Sequence, residues 1–99
     1  MATFEAELWV WDARRTETWT FVSVPVEVSE DISEITEGMR GGFGSVRVQA
    51  TVGGSSWRTS VFPDSKRGCY VLPIKRAVRK AEGLEPGATT TVTVELIDL

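Results

Sequence analysis

Apolar and polar residues alternate through most of this chain, and the alternation predicts β-structure. The alternating segments cover residues 3–11, 18–24, 46–52, 56–62, 69–72 and 89–99. Gly53-Gly54 suits the tight turn of a hairpin, so we expect the third and fourth strands to pair, as the first and second do across a polar connection. One face of the first strand would carry Phe4, Ala6, Leu8 and Val10, and the other Glu5, Glu7, Trp9 and Trp11.

Two segments repeat their apolar residues with helical spacing, and each follows a proline that ends a strand. In the first, Ser29 is the expected N-cap, because its hydroxyl can accept from an amide of the first turn. The buried stripe of this helix would hold Val28, Ile32, Ile35 and Met39. The stripe of the second helix would hold Ile74, Ala77, Val78 and Ala81, with Gly83 as the stop.

A short motif occurs twice, forty-eight positions apart, where a strand leads into a helix. The copies are Val24-Pro25-Val26-Glu27 and Leu72-Pro73-Ile74-Lys75. The repeat suggests a pseudo-twofold axis with one helix at each end. Because closure removes exposed strand edges, we expect a mainly β fold, a small closed six-stranded barrel capped at both ends by two short helices, as a single domain over residues 1–99.

Four stretches stand out in order along the chain: Trp19-x-Phe21-Val22-x-Val24-Pro25, Gly42-Phe43-Gly44-Ser45-Val46-x-Val48, Ser60-x-Phe62-Pro63 and the run from Tyr70 to Leu84. Together they resemble a family of small bacterial proteins that is catalogued as a domain of unknown function. The resemblance implies a double-split β-barrel, grouped with the DNA-binding swapped-hairpin dimers of the AbrB and MazE type. In some relatives a YdeI or OmpD-associated segment follows the barrel, whereas this sequence stops at Leu99. Since the family has no established activity, the resemblance brings no catalytic residue.

The composition is that of an ordinary soluble domain, with 99 residues, one cysteine and a net charge of −3. The sequence shows no secretory signal, no apolar run of membrane-spanning length and no partner for a disulfide, so we expect a cytoplasmic protein. The negative charge argues mildly against nucleic acid as a partner. Acidic residues crowd the first helical segment: Glu27, Glu30, Asp31, Glu34 and Glu37.

Basic residues crowd the second helical segment and the turn before it. The helix carries Lys75, Arg76, Arg79 and Lys80 opposite its apolar stripe, and the turn carries Lys66 and Arg67. Such a cluster attracts anions and is our candidate anion-binding site. The default interpretation of an exposed charge run is a solvated surface. Arg76 and Lys80 also form a like-charge pair at i,i+4, which an external anion or the acidic helix of a second subunit would relieve.

Trp9 and Trp11 share a face of the first strand with two acids, and exposed tryptophans mark binding surfaces. They are our candidate aromatic surface, for a ligand or a dimer contact. The alternative, which the tight interior of a small barrel favours, is a bulge that swaps the faces of the strand. Both rings would then be core residues under a helix.

Catalysis has few candidates, because the chain has no histidine. Cys69 is expected to be a buried inert thiol, and Glu5 and Glu7 are about 7 Å apart by strand geometry. We therefore predict a non-catalytic binding or interaction module, without cofactor or metal, for a protein partner or a small anionic ligand. A homodimer is left open. The rival hypotheses are a DNA-associated protein, by analogy with the AbrB and MazE type, and an enzyme that uses carboxylates.

Overall fold

A computed structural model describes residues 1–12, 18–37 and 44–97, and these ranges contain seven strands and two helices. The strands are β1 (Ala2–Glu7), β2 (Trp9–Asp12), β3 (Thr18–Ser23), β4 (Val46–Val52), β5 (Ser55–Asp64), β6 (Cys69–Pro73) and β7 (Thr89–Leu96). The helices are α1 (Val26–Ile35), after β3, and α2 (Arg76–Glu82), after β6. Within these ranges, no helix is long and apolar enough to cross a bilayer.

The strands form one antiparallel sheet in the order β1-β7-β4-β5-β6-β3-β2, which curves into an open half-barrel. The prediction of a mainly β fold with two helices is confirmed, but the closed six-stranded barrel is wrong. The difference arises at Leu8, where the predicted first strand breaks in two. β1 pairs with β7 at one edge of the sheet, and β2 pairs with β3 at the other. The alternation continues across Leu8, so hydropathy alone does not reveal the break.

The interior of the half-barrel is filled by aliphatic side chains that belong to one buried cluster. From the strands this cluster includes Val22, Val48, Ala50, Val52, Val61, Leu72, Val92 and Val94. Ile32 of α1 and Val78 of α2 join it. The rest of the predicted helical stripes is partly wrong, since Ile35 is 54% exposed and Ala77 and Ala81 are exposed. The helices have 10 and 7 residues, about three and two turns, and the fully buried residues are Ser29 and Ile32 in α1 and Val78 in α2. Met39 lies outside the described residues.

Ser29 does not cap α1, contrary to the prediction, because the helix already begins at Val26 behind Pro25. Its hydroxyl is buried inside the first turns and connects two strands. It donates to the carbonyl of Val24 at 3.2 Å and accepts from the amide of Tyr70 at 3.0 Å. The Val24 amide in turn donates to the Tyr70 carbonyl at 2.9 Å. The serine therefore takes the place of one ladder bond where β3 turns away from β6.

A similar hydrogen-bond arrangement recurs at the start of both helices, at a spacing of fifty rather than the forty-eight residues of the sequence repeat. Val26 and Arg76 begin the helices. At the α2 end, the Ile74 amide donates to the Thr20 carbonyl at 2.9 Å, and the Nε of Arg79 donates to the Ile74 carbonyl at 3.1 Å. Arg79 thus occupies the position that Ser29 has at the α1 end. Pro25 and Pro73 are forty-eight residues apart, two fewer than the helix starts. Because side chains alternate with a period of two along a strand, this difference does not change which residues of the two strands face inward.

Pro63 does not end the fourth predicted strand, which instead continues as β5 to Asp64. Pro63 lies opposite Tyr70. The Tyr70 amide donates to the Ser29 hydroxyl and the Tyr70 carbonyl accepts from the Val24 amide, so both groups point away from β5. The pair is therefore a non-hydrogen-bonded one, and Pro63 needs no amide proton there. The predicted Gly53-Gly54 hairpin is confirmed: Gly53 has φ of 57°, and Val52 pairs with Ser55.

We predict that Ser29→Ala destabilises the protein by about 1–3 kcal/mol, because it leaves the Tyr70 amide and the Val24 carbonyl unpaired in a buried place. Chemical denaturation with near-ultraviolet and far-ultraviolet detection would measure the loss. Ser65→Ala, in the exposed turn between β5 and β6, is the matched control and should change stability by less than about 0.5 kcal/mol. Equal stabilities of the two variants would contradict the role given to the Ser29 hydroxyl.

Candidate functional site

A groove of about 730 Å³ opens between the start of α2 and the neighbouring ends of β3 and β5. Four of its lining residues are cationic, two are tryptophans and two are threonines: Arg58, Lys75, Arg76 and Arg79, Trp19 and Trp57, Thr20 and Thr59. Pro73 and Ile74 complete the described lining, which contains no Asp or Glu. The volume is in the range of small-molecule sites. The arrangement combines positive charge with aromatic surface.

Arg79 is the most firmly positioned of these cations. Its Nε is held by the carbonyl of Ile74, a residue that is 2% exposed, and its own side chain is half-buried. The remaining guanidinium N–H groups are left to bind a ligand, and a planar guanidinium fits a phosphate or carboxylate with two parallel hydrogen bonds. Arg79 is therefore held in place as a hydrogen-bond donor for an anion.

The other cations of the groove are exposed and without a carboxylate partner. Lys75 and Arg76, at the start of α2, form no ion pair with any described residue. The one acid of α2, Glu82, is engaged elsewhere: it accepts from the Ser55 hydroxyl at 2.7 Å and from the Gly54 amide at 3.3 Å, at the tip of the β4–β5 hairpin. The positive charge of the groove is thus not neutralised from within the described chain.

Three of the six predicted basic residues line the groove, and the other three do not. Lys80 is exposed on α2 outside it. Lys66 and Arg67 lie in the turn after β5, near the other end of the sheet. The guanidinium of Arg67 lies over the ring of Trp9, 3.7 Å from its centroid, and its Nε is 3.5 Å from a carboxylate oxygen of Asp64. Arg58 is the lining cation that sequence reasoning missed, since a single cation in an alternating strand carries no signal.

Trp9 and Trp11 lie on the outer face of the sheet and not in the core. Trp11 is 52% exposed, and Trp9 is half-buried, with its indole donating to the Ser23 hydroxyl at 3.0 Å. The strand register adds further rings to this face: Phe21 pairs with Trp9 and Trp19 with Trp11. We use the name aromatic face for the outer side chains of these strands, namely Trp9, Trp11, Trp19, Phe21 and Phe62.

The added rings could have been found from sequence. Trp19 and Phe21 are two residues apart in β3, and the predicted hairpin brings that strand against Trp9 and Trp11. Rings of Trp9 and Phe21 are 5.2 Å apart between centroids, and those of Trp19 and Phe21 are 6.4 Å apart and stacked. Trp19 also lines the groove, so the aromatic face and the groove meet at this residue.

A comparison with protein families gives one match over nearly the whole chain. A model described as a domain of unknown function, DUF1905, matches residues 4–94. The chain belongs to the DUF1905 family. The matched span contains the groove and the aromatic face, and the resemblance to a family of unknown function is confirmed. None of the curated proteins compared with this DUF1905 domain gives a significant match.

The candidate catalytic residues of the DUF1905 domain lie apart from the groove. Glu5 and Glu7 are exposed on β1 and share a shallow recess with Arg67. Cys69 is half-buried at the start of β6, in a second cavity of about 540 Å³ beside Ser29 and Glu30. Among the described residues, no three acidic, cysteine or histidine side chains cluster as metal ligands. The groove therefore brings cations and aromatic rings together, but it contains none of Glu5, Glu7 and Cys69.

Lys75 occupies the N-cap position of α2 without capping it, since its side chain makes no cap hydrogen bond. We predict that Lys75→Asp in the DUF1905 domain raises the free energy of unfolding by about 1 kcal/mol, because a carboxylate there can accept from the free amides of the first turn. The melting temperature should rise by about 4–8 °C.

Two further substitutions at the same position separate the causes of that rise. Lys75→Asn supplies a cap without negative charge and should also stabilise, whereas Lys75→Gln removes the positive charge without supplying an effective cap. Unchanged melting temperatures for both Asp and Asn would show that the α2 start gains nothing from a cap. A gain would mean that the native lysine lowers stability at a position that lines the groove, a pattern typical of functional positions.

Proposed function

We propose that this DUF1905 domain is a non-catalytic binding module for a small organic anion that carries a planar ring, with the groove beside α2 as its site. The observation that supports the proposal is the set of cations lining one groove with two tryptophans, without a carboxylate among the described lining residues. A phosphate or carboxylate would bind Arg79 and Arg76. The ring of the ligand would pack on Trp19 or Trp57.

The chemistry of the lining supports binding over turnover. The described lining offers no carboxylate and no thiol, and the chain has no histidine. The hydroxyls of Thr20 and Thr59 therefore have no carboxylate, thiolate or imidazole among the described lining residues to act as their general base. Glu5, Glu7 and Cys69, on which an enzyme would depend, do not line the groove.

The charge distribution argues for a small anion over duplex DNA. A DNA duplex presents a long row of phosphates. A protein that binds it contacts several of them with cations spread over one face. In this domain α1 carries four exposed acids, Glu27, Glu30, Asp31 and Glu34, followed by Glu37. An extended polyanion that reached from the groove toward α1 would meet these carboxylates, whereas a small anion would not.

The test is a titration of the purified protein with AMP, ATP, a sugar phosphate, inorganic phosphate and a short DNA duplex, followed by tryptophan fluorescence and by melting temperature. We expect the nucleotides to quench fluorescence and to stabilise, by about 1.4 kcal/mol at ten times Kd, which corresponds to roughly 5–10 °C. Inorganic phosphate and the sugar phosphate should bind more weakly, because they lack a ring to stack.

The variant that tests the site is Lys75→Gln with Arg76→Gln, which should weaken nucleotide binding by at least about tenfold. The matched control is Lys66→Gln with Lys80→Gln, which removes the same charge from exposed positions outside the groove and should leave binding unchanged. Absence of binding, or equal binding by both variants, would overturn the proposal. Duplex binding that is tighter than nucleotide binding and falls steeply with salt would support the DNA-associated alternative instead.

A further inference from the structure

Thr20 differs from the other residues that line the groove, because it is buried and its hydroxyl has no partner. The residue is 6% exposed. Its carbonyl accepts from the Ile74 amide at 2.9 Å, but its hydroxyl forms no hydrogen bond with any described residue. Every fully enclosed side-chain nitrogen or oxygen of the described residues does have a partner, so the Thr20 hydroxyl must be reached from the groove that the residue lines.

Valine is the residue that packing alone would favour at this position of β3. Thr20 shares its side of the chain with Val22 and Val24, which are both fully buried. Valine has the same shape as threonine and a similar preference for strands. A hydroxyl at a core position costs stability unless it makes a hydrogen bond. The hydroxyl of Thr20 is therefore explained by a bond that forms when the groove is occupied.

The neighbouring side chains decide what kind of atom this hydroxyl meets. Ile74 connects Thr20 with Arg79, since its amide donates to the Thr20 carbonyl and its own carbonyl accepts from the Arg79 Nε at 3.1 Å. Lys75 and Arg76 also line the groove, and no described lining residue carries a carboxylate. Because arginine and lysine side chains only donate, the ligand atoms that they bind are acceptors. The hydroxyl would donate to an atom of the same group.

A phosphate monoester uses such a set of donors better than a carboxylate does. A guanidinium holds two oxygens in one plane. A carboxylate has no others, whereas a phosphate monoester keeps a third oxygen and carries a charge of about −1.5 to −2 at neutral pH. A further donor beside the guanidinium therefore distinguishes the two anions.

We propose that Thr20 determines which anion the groove binds, by donating its hydroxyl to the third oxygen of a phosphate monoester whose other two oxygens are held by Arg79. This inference rests on the proposed function, the binding of a small ring-bearing anion in the groove. It narrows that ligand to phosphate monoesters that carry a planar ring, and it makes Thr20 a binding residue.

Titration of the full chain with AMP and with adenosine 5′-carboxylate tests the assignment, because the two ligands share a ring and differ in the anion. We expect Thr20→Val to weaken AMP binding by about tenfold, as the loss of a hydrogen bond to a charged group does, and to change the Kd of the carboxylate by less than about twofold. Thr20→Ser keeps the hydroxyl and should bind AMP within about threefold of the parent protein.

The melting temperature of the ligand-free protein separates this role from a structural one. Thr20→Val should melt at the same temperature as the parent or higher, because it loses no hydrogen bond to a described residue. The matched control is Thr36→Val, since Thr36 is also buried, at 1% exposed, but its hydroxyl donates to the Ile32 carbonyl at 2.6 Å. This variant should melt about 4–8 °C lower than the parent and bind AMP equally well.

The parent protein tests the proposed function, and the variants test the role of Thr20. If the parent does not bind AMP, both proposals are wrong. If the parent binds AMP, three results would overturn the assignment of Thr20 and leave the proposed function in place. They are AMP binding by Thr20→Val that equals the parent's, an equal loss of both ligands in Thr20→Val, and a melting temperature of Thr20→Val as low as that of Thr36→Val.

Discussion

The short pairing of β3 with β6 is the constraint on which the rest of this structure depends. Both strands turn away from each other at their ends, since each continues into a helix behind a proline. Each divergence would leave a buried carbonyl without its ladder partner. A side chain from the following helix supplies the missing bond, the Ser29 hydroxyl at one end and the Arg79 guanidinium at the other. The helices are thereby tied to the ends of one strand pair.

The difference between these two side chains separates the two ends of the molecule chemically. Ser29 uses its only donor on the Val24 carbonyl and accepts from the Tyr70 amide, so the α1 end is closed by a neutral, buried group with no further donor. Arginine satisfies one carbonyl through Nε and keeps further donors. The same structural task therefore leaves a cation in the groove only at the α2 end. A pseudo-symmetric fold acquires an asymmetric surface in this way.

Much of the architecture was predictable from sequence because alternation, proline and glycine act locally. β4 has the predicted bounds, the Gly53-Gly54 hairpin forms, and α2 ends at Gly83 in the left-handed region. The break at Leu8 was not predictable, because it depends on which neighbours the two halves of the strand find. The role of Ser29 was also missed, since a cap and a bridge between strands require the same residue type.

The candidate site was predictable only in part, for the same reason. Helical spacing brought Lys75, Arg76 and Arg79 together, since residues three and four apart share a side. Lys66 and Arg67 are near these residues in sequence, but β6 lies between the turn and α2 and carries the chain to the other end of the sheet. Arg58 and the two tryptophans reach the groove through strand pairing over long sequence distances, for which the local pattern holds no information.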